Sequence, residues 1–152
     1  MTQLELAKQG VISPQIKQVA KQEGMNEETI QQYTAEGKIV IPSNVNHINL
    51  VHCGIGKELT VKVNANIGTS SDYGNLEGEL EKLRIAIHFG ADTAMDLSTG
   101  GDISGIRQAI IAASTLPVGT VPIYQAGIEA IERHGAIAVS YTHLTLPTIY
   151  SV

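Results

Sequence analysis

Aromatic side chains are nearly missing from this chain of 152 residues, which has no tryptophan, one phenylalanine and five tyrosines. A core must therefore rest on Ile, Val, Leu and Ala, and with 43% hydrophobic residues there is enough for one globular domain. Cysteine occurs once, at Cys53, so no internal disulfide can form and a reducing compartment is expected. There is no basic block and the formal net charge is −5, which argues against nucleic acid or an anionic membrane as partner. No run approaches the roughly 20 apolar residues of a membrane span, and the opening MTQLELAKQG lacks the apolar stretch of a secretory signal. GxGxxG and Gly-Lys-Ser/Thr are absent too, which removes the usual dinucleotide fingerprint and the P-loop. The expectation is a soluble, cytoplasmic, mildly acidic protein.

What is present falls into three parts, residues 1–57, 58–138 and 139–152. The first reads as short helices with clear punctuation. SPQIKQVAKQEG has Ser13 as N-cap, Pro14 at the first helical position and Gly24 as the stop, and NEETIQQYTAEG repeats the logic from Asn26 to Gly37. KIVIP suggests a short strand ended by Pro42, and residues 43–57 read as loop. From Leu59 the rhythm becomes strand, Gly-rich turn, helix, three times over. The first strand is expected to run to Ile67. Leu76, Leu80, Leu83 and Ile87 form one apolar helix face, and Ile106, Ile110 and Ala113 another. DTAMDLSTGGD and LPVGTVPIY supply the second and third strands, and QAGIEAIERHG the third helix.

KVNANIGTS, residues 62–70, poses a chemical question, because Asn64 and Asn66 stand where a buried strand would carry Val or Ile. Asn66, Met95 and Tyr124 are each expected at a strand end, and each lies 29 positions from the next. A βα unit of about 30 residues suits a (β/α)8 barrel and equally a doubly wound sheet. In both, ligands bind at the carboxyl ends of the strands. Asn66 then faces a ligand site, although Asn is also a common turn former. Met95 can be core filler, and Tyr124 a rim aromatic whose hydroxyl reaches water. Asp96, inside an apolar strand, needs a partner. LSTGGD could cradle a phosphate, but a tight turn capped by Asp102 or Ser104 is the preferred reading. His52 and Cys53 are neighbours on an extended chain and make a poor metal pair. Ser98 has no evident His or Asp partners for nucleophilic catalysis. His88 and His134, at helix ends, read as structural.

KVNANIGTS, MDLSTGGD and PVGTVPIYQA, in this order and spacing, resemble the phosphomethylpyrimidine synthase family, as do GKIVIPSNVNH and the opening MTQLELAKQG. The likeness runs from Met1 to about Ala138. The resemblance implies the first three βα units of a (β/α)8-barrel enzyme of thiamin biosynthesis, preceded by a helical lead-in. It implies a homodimeric carbon–carbon lyase that converts aminoimidazole ribonucleotide to hydroxymethylpyrimidine phosphate by radical cleavage of S-adenosylmethionine at a [4Fe-4S] cluster, with zinc as a further metal. It also implies substrate contacts at Asn66, Met95 and Tyr124, which would position substrate: an amide for the ribonucleotide, a thioether against the imidazole or sugar, and a hydroxyl. The family's cluster cysteines, zinc-binding histidines and later phosphate-binding loops belong beyond residue 138 of the pattern, and this chain contains none of them. The family also has a VHCG-like stretch on a later strand, with a substrate-binding His. VHCG here precedes the first strand, so that role does not pass to His52.

The last residues, VSYTHLTLPTIYSV, break both the rhythm and the resemblance. Val139 to Thr148 match one frame of a transposase-type sequencing adapter, and the continuation of the adapter past a short index ends in Val152 and a stop. An N-terminal fragment, inactive alone and poorly folded because of its open sheet edges, is expected. Two alternatives have distinct signatures. Another phosphate-binding βα-barrel enzyme would bind phosphorylated ligands without cluster cysteines. A non-catalytic open α/β binding module would unfold cooperatively as a monomer.

Overall fold

The computed structural model describes residues 1–135. The segment 139–152, and with it the adapter reading, lies outside the described residues, as does the side chain of His134.

The first region is three short helices and a strand pair. Helix α1 (Gln3–Lys8) starts on a capping box in which the Thr2 hydroxyl accepts from the Glu5 N–H and the Glu5 carboxylate accepts from the Thr2 N–H. Helix α2 (Pro14–Glu23) is capped by Ser13, opens on Pro14 and stops at Gly24, as its sequence dictates. Helix α3 (Glu27–Ala35) is capped by Asn26. Strand β1 (Ile39–Val40) pairs antiparallel with β2 (Ile55–Gly56), inside the stretch expected to be loop. Ile16, Val19, Ala20, Ile30, Ile39 and Ile41 close into one core with Ala7, and Leu59 packs against its edge. Burying each of these larger aliphatic side chains contributes about 1.5–3 kcal/mol.

The second region repeats strand and helix three times: β3 (Asn64–Ile67), α4 (Leu76–His88), β4 (Thr93–Asp96), α5 (Ile103–Ala113), β5 (Val118–Thr120) and α6 (Pro122–His134). The three strands are parallel, in the order β3-β4-β5. The sheet is open among the described residues. One face carries Ile67 and Ala94 and is covered by Leu83 of α4 with Ile106 and Ile110 of α5.

Four expectations change. The first strand begins at Asn64 rather than Leu59, because Thr60 and Lys62 turn toward Glu23 of α2 and leave Val61 92% exposed. On α4, Leu83 is buried and Leu80 and Ile87 are half-buried, but Leu76 is exposed and the fourth buried place goes to Glu79. On α5 the buried row is Ile103, Ile106 and Ile110, while Ala113 is exposed near the helix end. Finally, β5 stops at Thr120, because Pro122 has no N–H for a ladder and its fixed φ opens α6 instead.

The regions meet along a polar seam. Lys62 Nζ lies 2.5 Å from Glu23 Oε1, and the Thr60 N–H donates to Glu23 Oε2 at 2.8 Å. The His47 ring nitrogen crosses the seam to donate to the Ser114 carbonyl at 2.7 Å, and beside it, within the second region, the Val63 N–H donates to Asp92 at 2.7 Å. A cleft of about 300 Å³ on this seam is lined by His52, Cys53, Lys62 and Asp92 among others. Its Glu23, Lys62 and Asp92 side chains are engaged with one another or with backbone.

Candidate functional site

Parallel register fixes which side chains share the uncovered sheet face. Asn64 stands opposite Thr93, while Asn66, Met95 and Gly119 form one row across three strands. Alternation along each strand puts these residues opposite the helix-facing Ile67, Ala94 and Asp96. The two amides are wired together: Asn64 Nδ2 donates to Asn66 Oδ1 at 2.8 Å, and the Thr93 hydroxyl donates to Asn64 Oδ1 at 2.8 Å. Asn66 is exposed and Met95 half-buried. The Met95 thioether lies over Gly119: a Cβ there would sit 3.0 Å from the sulfur. These strand positions carry no ionisable side chain, so they can hold a ligand by hydrogen bonds and soft contact but offer no acid, base or nucleophile.

Asn66 and Met95 are therefore brought together on adjacent strands. Tyr124 is not at a strand end; it lies in the first turn of α6, 46% exposed, with its N–H bonded to the Val121 carbonyl at 3.0 Å. The strand position in register with Met95 is Gly119. The 29-residue spacing overshoots because the register repeat shortens: Asn66 to Met95 is 29 positions, but Met95 to Gly119 is 24.

The loops at the carboxyl ends of the strands are locked together. The Thr69 hydroxyl donates to the Gly100 carbonyl at 2.6 Å, the Thr69 N–H to the Ser98 hydroxyl at 3.1 Å, and the Thr99 N–H to the Thr69 carbonyl at 2.8 Å. Such close approach needs glycine at two places. A Cβ on Gly68, whose φ is 145°, would lie 2.6 Å from the Leu97 carbonyl carbon, and one on Gly100 2.3 Å from the Ser70 oxygen. Below them, Glu79 is fully buried, its Oε2 accepting the Gly68 N–H at 2.7 Å while Lys82 pairs with Oε1.

Asp96 has the partners that its burial demands. Its Oδ1 accepts from the Ser98 N–H at 3.0 Å and the Ser98 hydroxyl at 2.5 Å, and its Oδ2 accepts from Arg107 Nε at 3.2 Å. Ser98 is thereby a buried structural hydroxyl. LSTGGD is a turn in which Asp102 caps α5 through the Gly105 N–H at 3.0 Å. The backbone N–H groups of Ser98 and Thr99 are used within the protein rather than aimed at an anion. His52 donates from Nδ1 to Gln18 at 3.1 Å, and its Nε2 accepts from the Ser43 hydroxyl at 3.0 Å. Burial, then the neighbouring His47, holds the His52 pKa below the usual 6.5.

Sequence reasoning missed Glu79, Arg107 and Gly119. Glu79 left a signal, since it stands four residues before Leu83 and eight before Ile87, on the apolar stripe itself. Arg107 and Gly119 left none, because their partners come from other elements.

A [4Fe-4S] cluster requires several thiolates, and Cys53 is the single cysteine here, buried, with its thiol pKa pushed up by burial and by Asp92. Among the described residues no three His, Cys, Asp or Glu side chains converge to hold a metal ion. The single cysteine does not fit the cluster, and the described residues do not fit a zinc ion.

Comparison with known proteins bears on this arrangement. A profile described as the Radical SAM ThiC family matches residues 2–150. The phosphomethylpyrimidine synthase of Caldanaerobacter subterraneus subsp. tengcongensis is 57% identical over 137 residues, 90% of this chain and 32% of that protein. An enzyme of the same name from Dehalococcoides mccartyi is 54% identical over 137 residues. One from Thermus thermophilus is 51% identical over 145 residues, 95% of this chain and 33% of its own. The chain thus spans about a third of the length of the curated relatives that it matches.

Proposed function

The chain belongs to the Radical SAM ThiC family, and on that premise we propose that it is the N-terminal third of a phosphomethylpyrimidine synthase, carrying part of the substrate site. The observation that carries this reading is 57% identity to an enzyme of that name over 90% of the chain. In this reading β3, β4 and β5 are the first strands of a (β/α)8 barrel. Three parallel strands in chain order, helices on one face and a polar row on the other support it. The whole enzyme is a cytoplasmic homodimer and a lyase of thiamin biosynthesis that converts aminoimidazole ribonucleotide to hydroxymethylpyrimidine phosphate. Asn66 donates to and accepts from the ribonucleotide, Met95 packs its thioether against the ring or sugar, and Tyr124 offers its hydroxyl from α6. S-adenosylmethionine and the [4Fe-4S] cluster supply the radical when bound, and zinc is a further metal of the whole enzyme; their ligands come from outside this chain. What this chain does is bind and orient, so it is inactive alone.

Long reads across codon 138 of the source locus test the reading. The expected result is an open frame that continues through further βα units to a C-terminal cysteine cluster. Genomic DNA that itself encodes VSYTHLTLPTIYSV and then stops would overturn it and favour a non-catalytic α/β module.

A further inference from the structure

We propose that Arg107 is a positioning residue that ties the strand bearing Met95 to the helical turn bearing Tyr124, so that these two contacts are set as one unit. The inference rests on the substrate-site reading above and goes beyond it by naming what holds the site together.

Met95 and Tyr124 come from different elements, and the sequence neighbour of each meets the same guanidinium. Arg107 Nε donates to Asp96 Oδ2 at 3.2 Å, and Arg107 Nη1 donates to Gln125 Oε1 at 2.8 Å. Both anchors are themselves fixed. The Asp96 side chain is 0% exposed and its other oxygen is held by Ser98. The Gln125 amide spends its two hydrogens on Ser104 Oγ at 3.1 Å and Glu129 Oε1 at 2.8 Å. The bridge therefore runs from the end of β4 through α5 to the first turn of α6 with its polar ends occupied.

A second observation explains why α6 needs the bridge. Its start has no side-chain cap: Val121 offers none, and Pro122 removes an N–H. The helices α1 to α5 each begin on a Thr, Ser, Asn or Asp side chain that accepts a backbone N–H. With no local cap, the side-chain bonds of Gln125 tie the first turn of α6, and with it Tyr124, to α5. The guanidinium reaches the two acceptors from separate nitrogens, Nε and Nη1, held in one plane; a lysine carries its three donors on a single atom, so both acceptors would have to move to one point.

The test is a double-mutant cycle in the full-length enzyme that carries this segment. Binding of aminoimidazole ribonucleotide is read by titration calorimetry without S-adenosylmethionine, so cluster chemistry does not enter. Met95→Ala and Tyr124→Phe are each expected to weaken binding, with a combined effect that departs from the product of the two by a factor of about five. In an Arg107→Lys background, which keeps a cation beside buried Asp96, that departure is expected to vanish. Gln125→Met, which cuts only the α6 side, should abolish it equally and guards against misfolding of the first variant. Asn66→Ala tests the site reading alone. If Asn66→Ala and the two single substitutions weaken binding but the coupling persists in both backgrounds, the Arg107 inference fails and the site reading stands. If none of the three weakens binding, both fall.

Discussion

The two regions of the molecule are built by different means. In the lead-in, each helix is closed by a neighbour in sequence: Thr2 with Glu5, Ser13 with Ile16, Asn26 with Glu28. Its core surrounds itself, with Ile16, Val19 and Ile30 all at 0% exposure. The βα region has caps of the same kind on α4 and α5, but among the described residues its sheet is packed on one side only. Its buried charges, Glu79 and Asp96, each take one partner from close by, Lys82 and Ser98, and one from 11 positions away, Gly68 and Arg107. Val63 and Ile131 stay more than half exposed. The contrast teaches that local punctuation can finish a helical unit, whereas a parallel sheet of three strands leaves a face and two edges for something else to cover.

The largest effect that could break this contrast comes from emptying one core at a time. Ile30→Ala and Ile110→Ala both remove a side chain at 0% exposure, and each should cost about 2–5 kcal/mol. Amide exchange is the measurement. Ile30→Ala is expected to strip protection from α1 to α3 while β4 keeps most of its own, and Ile110→Ala to do the reverse. Equal loss across both regions after either substitution would make the chain one cooperative unit and end the comparison.

How much could be read beforehand follows the same division. Ser13, Pro14, Gly24 and Asn26 announced two helices with nearly correct ends, because caps and stops act within a few residues. The Thr2–Glu5 capping box is equally legible in the opening MTQLE. In the βα region the order of elements was legible from spacing, and so was the polarity of Asn66. The strand ends were not. Strand β3 is shortened by Glu23, which lies 37 positions before Thr60 and leaves no local trace there, while β5 ends at Pro122, a local signal of the same kind as Pro14. Tyr124 falls outside the row because the repeat from Met95 to Gly119 is 24 positions, against 29 from Asn66 to Met95. The pairing of Asn66 with Met95 followed the 29-residue period because those two strands have equal length and direct register.

An intermediate effect is expected from acid, acting where the regions meet. His52 is held below 6.5 by burial and by His47, so the unfolded chain takes up this proton first. Stability must then fall as pH drops below 6.5. For Glu23, burial favours the neutral form, but Lys62 and Thr60 outweigh it and the carboxyl lies below 4.5. Its contribution is present above 4.5 and is lost as pH falls through the folded value. The urea midpoint should accordingly be flat from above 6.5 to about 8 and fall in two stages below 6.5. His52→Gln should remove the first stage and leave the second. A midpoint that rises as pH drops just below 6.5 would contradict the His52 assignment, and one that rises below 4.5 the Glu23 assignment.

The smallest effect is chemical rather than energetic and reads the same seam without perturbing it. Cys53 is 9% exposed, and burial, reinforced by Asp92, pushes its thiol pKa up. The next residue lies flush against α2: a Cβ on Gly54 would fall 2.6 Å from a Val19 methyl. A reagent such as iodoacetamide needs the thiolate and a path to it; burial disfavours the thiolate, and Cys53 shows only 9% of its surface to the cleft it lines. Alkylation at neutral pH should therefore run at least about a hundredfold slower in the folded chain than in denaturant. Ile30→Ala should quicken it, because α2 and α3 share the core behind Cys53, whereas Ile110→Ala should change it less. Equal acceleration by the two would mean that the seam opens with the whole chain, and unequal acceleration would locate the first opening on the α2 side.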